Sequence, residues 1–297
     1  MVARVKRLVV VLLLSVLSAC PKVRPVFERP TEGSVVVVAA GDISGAKNTG
    51  QSLTATVVES LRPDAVLLLG DGQYPEGALE DYQQNYDPTW GRFKNLTWPV
   101  PGNHEYKSKA VGYFTYFGAR AGDPAKGYYS FDLGDWHFVA LNTNHDCLEV
   151  ACDAESEQLK WLAADLSASP KKCTLAYWHH PRFNSGLHGD FIKADAIWKL
   201  LAAHGVELVL NGHEHFYERV GPVAPGGERA EAGIVQLTVG TGGIGFSAFK
   251  TLHPSSDAHQ NTQLGVVRLR LGPNDWESDF VGVPGSSFLD HASGPCR

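Results

Sequence analysis

The chain has no excess of positive charge, no CxxC cysteine spacing, no internal repeat and no coiled-coil heptad pattern. It also lacks an apolar run of the about 20 residues that a bilayer-spanning helix needs. Each absence removes a class. Without repeats or heptads the chain is neither a solenoid nor a coiled coil. Without CxxC pairs a thiolate zinc site is disfavoured. With 26 Lys and Arg against 32 Asp and Glu, and a net charge of −6, a nucleic-acid polymer is not an electrostatically steered partner. What remains is an ordinary globular composition over 297 residues, 43% hydrophobic and 20% charged, enough for a sizeable core.

The first 20 residues stand apart. Arg4, Lys6 and Arg7 precede Leu8–Leu17, which is apolar except for Ser15. That run is too short to span a bilayer but suits a secretory leader. It ends in Leu17-Ser18-Ala19-Cys20, which resembles the lipobox of bacterial lipoproteins and implies cleavage before Cys20 and a lipid anchor on that cysteine. The alternative is an ordinary signal peptide, releasing a secreted or periplasmic protein. Residues 20–33, with three prolines and no periodicity, read as a tether, leaving 34–297 as one domain. Loss of residues 1–19 takes three positive charges and no acids, so the net charge moves from −6 to −9. In an oxidising compartment Cys147, Cys152, Cys173 and Cys296 are expected in disulfides. Cys147 and Cys152 are near enough in sequence to clip a loop, which would leave Cys173 to hold the tail through Cys296, although three pairings are possible.

Five apolar, strand-like runs end in residues that bind metals. Val35–Ala40 leads to Gly41-Asp42, Ala65–Leu69 to Gly70-Asp71-Gly72-Gln73-Tyr74, and Trp98-Pro99-Val100 to Gly102-Asn103-His104-Glu105. Cys173–Trp178 leads to His179-His180-Pro181, and Val206–Leu210 to Gly212-His213-Glu214-His215. Parallel strands gather such loops at their carboxyl ends. Helices are predicted over 51–61, 155–166 and 191–204, a mixed segment over 79–93, and a hairpin from Tyr128–Asp132 and Trp136–Asn142. The chain ends in strands at 233–239, 263–271 and 276–281. This order suits two packed sheets with helices outside.

A carboxylate can bridge two cations, and Asp71, central in the set, is the candidate for that role; Asp42, after its apolar strand, reads equally as a metal residue or as a turn or helix N-cap residue. Tyr74 discriminates between metals. A phenol with pKa near ~10 binds as phenolate only where a strongly acidic cation displaces its proton, which favours Fe(III). Asn103 offers a neutral oxygen. His104 is expected to face the substrate as a proton or hydrogen-bond donor, with Glu105 orienting it. His213 and His215, two apart on an extended segment, face the same side. His179 and His180 point to opposite sides, so one of them is a ligand.

These motifs resemble the metallophosphoesterase superfamily and, within it, the purple acid phosphatases. The marks are GDIS at 41–44, GDGQY at 70–74, GNHE at 102–105, HHPRF at 179–183 and GHEHFYER at 212–219. The resemblance runs from Val35 to about Gly243. It implies an α/β fold, a four-layer αββα sandwich of two mixed β-sheets flanked by helices, without the N-terminal β domain of the large plant members. It also implies Fe(III) held by Asp42, Asp71, Tyr74 and His215, and a divalent Fe, Zn or Mn held by Asp71, Asn103, His179 and His213. The family's His-x-Pro arrangement selects His179 over His180. Such a cation pair activates water and clamps a phosphoryl oxygen. The expected reaction is hydrolysis of small phosphate monoesters, with His104 assisting the leaving alcohol and Arg182 and His188 contacting phosphate. Arg219 is expected to brace its loop through Glu218. The rivals are a phosphodiesterase of the same superfamily and a non-catalytic ligand-binding surface lipoprotein.

Overall fold

β1 (Val35–Ala40) and β2 (Ala65–Leu69) are apolar throughout and buried almost end to end, the pattern of strands covered on both faces. The computed structural model describes residues 32–297 apart from His145. The leader, the lipidation site Cys20 and the tether up to residue 31 lie outside the described residues.

β1 and β2 run parallel to each other and to β3 (Thr97–Val100). Three antiparallel strands, β11 (Gly265–Leu271), β12 (Asp275–Gly282) and β13 (His291–Pro295), continue the sheet beyond β1 in the order β13-β12-β11-β1-β2-β3. The second sheet is built around parallel β5 (Trp136–Ala140), β6 (Cys173–Tyr177), β7 (Leu208–Asn211) and β9 (Ile234–Val239). Its flanks are β4 (Tyr129–Leu133) beside β5, and β8 (Tyr217–Val223) and β10 (Ser256–Gln260) beyond β9.

One core joins Val37 and Leu67 of the first sheet to Phe138, Leu175 and Leu210 of the second. The same core takes Val57 and Val58 from the helix Gly50–Leu61. That helix ends at Arg62, in left-handed backbone at φ 48°, with Pro63 blocking continuation. A second core packs Val139, Ala176 and Val209 against Leu159 and Leu162 of the helix Glu157–Ala168 and Ile197 and Leu201 of the helix Asp195–Ala203. Ser156 caps the first of these, its hydroxyl accepting from Leu159 N at 3.3 Å. The result is the expected helix–sheet–sheet–helix sandwich.

Cys147 pairs with Cys152 and Cys173 with Cys296, the arrangement in which one bond clips a loop and the other holds the chain's end. Three strands went unread in the sequence. β8 carries Glu218, Arg219 and Gly221-Pro222, β10 reads Ser-Asp-Ala-His-Gln, and β13 is an edge strand ending Gly294-Pro295. None has an apolar run, and their pairing comes from neighbours already in place.

His137 of β5 bridges Asp165 on the helix Glu157–Ala168 (2.9 Å) and Asp132 on β4 (2.8 Å). Burial disfavours its cation, but the hydrogen bonds to Asp165 and Asp132 outweigh burial and raise the imidazole pKa. A raised folded pKa stabilises below the unfolded value and loses that contribution as pH climbs through the folded one. The melting temperature of wild type should therefore exceed that of His137→Gln most near about pH 5.5 and least near about pH 8.5. A gap that widens with pH would contradict this.

Candidate metal centre

All five motifs lie at the carboxyl ends of parallel strands, after β1, β2 and β3 of one sheet and after β6 and β7 of the other. The chain turns sharply there: Asp42 (φ 60°), Asp71 (φ 48°) and His213 (φ 71°) all take left-handed backbone. Such conformations cost roughly 1–3 kcal/mol each where the surroundings impose them, and they gather at functional sites. Here hydrogen bonds impose them. Asp71 N donates to Glu105 Oε2 (3.0 Å), and His213 N donates to Asp42 Oδ2 (2.9 Å). A Cβ on Gly102 would collide with the Asp71 carboxylate, so only glycine lets these two loops meet.

The Tyr74 hydroxyl lies 2.7 Å from Asp42 Oδ1, 3.0 Å from Asp71 Oδ2 and 3.1 Å from His215 Nε2. On the other side of Asp71, His179 Nε2 is 3.3 Å from Oδ2, and Asn103 Oδ1 is 3.1 Å from both His179 Nε2 and His213 Nδ1. Ligand atoms about 2.0–2.2 Å from one cation stand about 3 Å from each other, so both groupings have the spacing of a coordination shell. Asp71 belongs to both. His179 Nδ1 donates to Leu69 O (2.8 Å), which leaves Nε2 free for a metal.

The protonation pattern fits the same purpose. Burial opposes ionisation of Asp71, yet the charge and hydrogen bond of His179 hold its carboxyl well below the usual range. Burial disfavours the His179 cation, but Asp71 outweighs it and raises the imidazole to about 9. A proton thus sits where a cation would replace it. Burial and the flanking Asp42 and Asp71 push the Tyr74 phenol well above its ordinary value, so a phenolate here requires a strong Lewis acid.

Some expected roles change. Glu105 does not orient His104. It is fully buried and accepts from the backbone N–H groups of Asp71 (3.0 Å), Gly102 (2.8 Å) and Gln73 (3.3 Å) and from the Tyr82 hydroxyl (2.9 Å), clamping two metal loops together. His104 is held instead by Pro75 O at Nδ1 (2.6 Å), with its ring over Tyr74 at 4.2 Å and Nε2 3.9 Å from Asp71 Oδ2. The Arg182 guanidinium, expected at phosphate, is engaged by Asp195 (3.2 Å) and Asp190 (3.5 Å) and acts as a brace. Arg219 also braces, but through Asp290 and Asp257 (2.9 Å each), while Glu218 takes Ser185. His188 lines the site, its Nδ1 2.9 Å from the buried Glu214. The sequence offered no signal for Glu214, which lies between two ligand candidates.

A cavity of about 390 Å³ opens over this centre, lined by Asn103, His180, His188, Phe191 and His213. His180, not a ligand by the sequence motif, stands 4.5 Å ring to ring from His213 and lies beside His179 and His213.

Residues 35–217 match the family model for calcineurin-like phosphoesterases. The chain belongs to that family. Among curated phosphoesterases it is 32% identical over 251 residues to purple acid phosphatase 15 of Arabidopsis thaliana, covering 71% of this chain and 45% of that one. The chain spans about half the length of the curated relatives it matches. Purple acid phosphatase PPD1 from yellow lupin superposes with a TM-score of 0.75 at 19% identity, over 88% of this chain and 53% of that one. GAP50, the anchor in the inner membrane complex of Plasmodium, superposes with a TM-score of 0.65 at 15% identity, covering 89% of both chains. Those two likenesses show the fold, and a fold alone does not assign an activity.

Proposed function

We propose that the chain is an exported, metal-dependent phosphatase that hydrolyses small phosphate monoesters at a two-metal centre. The observation that carries this reading is the Tyr74 hydroxyl set among Asp42, Asp71 and His215 at 2.7–3.1 Å. A two-metal hydrolase needs no phenol, and this one is buried where burial and carboxylates both oppose its ionisation. Asp42, Asp71, Tyr74 and His215 would hold Fe(III); Asp71, Asn103, His179 and His213 would hold a divalent Fe, Zn or Mn. The cations would supply an activated water and charge stabilisation for the phosphoryl group. The protein's part is to hold them with strained, hydrogen-bonded loops and to flank them with His104 on one side and His188, steadied by Glu214, on the other. His104 would give a proton to the leaving alcohol and His188 would contact phosphate. Two disulfides support export to an oxidising compartment, with the lipid anchor on Cys20 a part of the same proposal.

The test combines a metal analysis, a visible spectrum and two substrates. Wild type is expected to carry iron and show a phenolate-to-iron charge-transfer band, which Tyr74→Phe abolishes. A mono-aryl phosphate should be cleaved faster than a bis-aryl phosphate. A colourless, fully active zinc protein would sink the ferric assignment. The reverse substrate preference would make it a phosphodiesterase, and no hydrolysis after Fe, Zn and Mn loading would leave a binding protein.

A further inference from the structure

His180 is buried, lines the cavity and stacks on Phe191 at 4.8 Å. Its place beside His179 and His213 invites a reading as a third imidazole ligand. Hydrogen-bond accounting says otherwise. The Thr143 hydroxyl is fully buried, and its partners among the described residues are both on His180: the backbone N–H at 3.4 Å and ring Nδ1 at 2.8 Å. The N–H can only donate to Thr143 Oγ1. The hydroxyl's own hydrogen then needs an acceptor, and Nδ1 is the one in reach. With Nδ1 accepting, the ring hydrogen sits on Nε2. In the imidazolium form Nε2 carries a hydrogen as well. In either case Nε2 presents N–H, not a lone pair, and a metal ligand needs the lone pair.

We infer that His180 is a substrate-binding residue, its Nε2–H donating to a phosphoryl oxygen in the cavity beside the His179–Asn103–His213 group, and that Thr143 sets the tautomer for this. The inference rests on the proposed phosphatase reading and adds to it a donor selected by a buried threonine. It also accounts for a histidine beside the metal that is not a ligand. A tautomer with Nδ1–H would leave a buried hydroxyl hydrogen unpartnered.

The experiment uses metal-loaded full-length protein and inorganic phosphate as the probe, with binding measured by calorimetry and metal content by elemental analysis. His180→Ala is expected to weaken phosphate binding roughly ten- to a hundredfold, the range for a lost hydrogen bond to a charged group, with unchanged metal content. Thr143→Val keeps the ring but frees Nδ1 to take the hydrogen, and should weaken phosphate binding by a smaller factor, about threefold to tenfold. In the double variant the two losses should not multiply, because Thr143 acts through His180. Loss of a cation in His180→Ala would make His180 a ligand and overturn the inference. So would unchanged phosphate affinity in both single variants. If His180→Ala fails to fold, Thr143→Val decides alone. Wild type that binds phosphate yet hydrolyses no ester would defeat the phosphatase reading and leave the binding comparison intact.

Discussion

Asp71→Asn should leave a folded protein with at most one cation per chain and a kcat lowered by more than about a thousandfold, a larger loss than removal of a single oxyanion-stabilising donor causes. The reason is the position of Asp71 in both coordination groupings. Oδ2 lies 3.0 Å from the Tyr74 hydroxyl and 3.3 Å from His179 Nε2, while Oδ1 accepts the His104 N–H at 2.9 Å. An amide keeps the volume and one oxygen, so the His104 N–H still has an acceptor and the loop still closes. It lacks the negative charge that would offset two cations and the second oxygen, Oδ2, that faces both groupings. Substitution of a residue proposed to hold one cation alone, such as Asn103→Ala, should cost less and spare the other metal. Elemental analysis beside steady-state kinetics measures both effects. An Asp71→Asn protein that retains two metals, or keeps activity within tenfold of wild type, would show that Asp71 does not bridge.

Loss of the Cys173–Cys296 bond is the largest stability effect expected. It closes a loop of 123 residues in sequence separation, whereas Cys147–Cys152 spans 5. Chain entropy alone assigns about 5 kcal/mol to the first and about 2 kcal/mol to the second. Against a net stability of about 5–15 kcal/mol, the first is a large share of the whole. The native tail should stay docked without the bond, since Arg297 binds Glu207, Val206 and Gly233 just before β7 and β9, so the loss falls on the unfolded state. In urea titrations Cys173→Ser/Cys296→Ser should lose about 2–5 kcal/mol and Cys147→Ser/Cys152→Ser at most about 2 kcal/mol. Equal losses, or the reverse order, would show that strain or local packing outweighs loop closure.

The site was legible in the sequence where one strand end states it: Asp42, Asp71, Asn103, His179 and His213 each follow a run of apolar residues at a parallel strand's end. Roles that depend on neighbours remote in sequence were not legible. Glu105 looked like a partner for adjacent His104 because proximity in sequence was the sole guide. In three dimensions its carboxylate turns to the loop after β2. The place of Arg182 after a metal motif suggests a phosphate contact. Asp190 and Asp195, both within the following 13 residues, were signals that its charge had other takers. His180 was separable from His179 by motif, but its orientation depends on Thr143, 37 residues earlier and past the end of another strand. The strands β8, β10 and β13 escaped notice for a related reason. They complete sheets whose apolar strands are already assembled, so their own residues need only pair.

The split origin of the centre has a mechanical meaning. Asp42, Asp71, Tyr74 and Asn103 descend from one sheet, and His179, His213 and His215 from the other, so each proposed cation is gripped from both sides of the sandwich. Under the proposed assignment the metals would act as rivets through the two sheets, and the interior between them would act as a spacer that sets the grip. Trimming a core side chain such as Leu67 or Leu210 should therefore lower metal content or activity as well as stability, which elemental analysis beside urea titration would measure. In this molecule the hydrophobic core is the ruler by which the metal centre is measured.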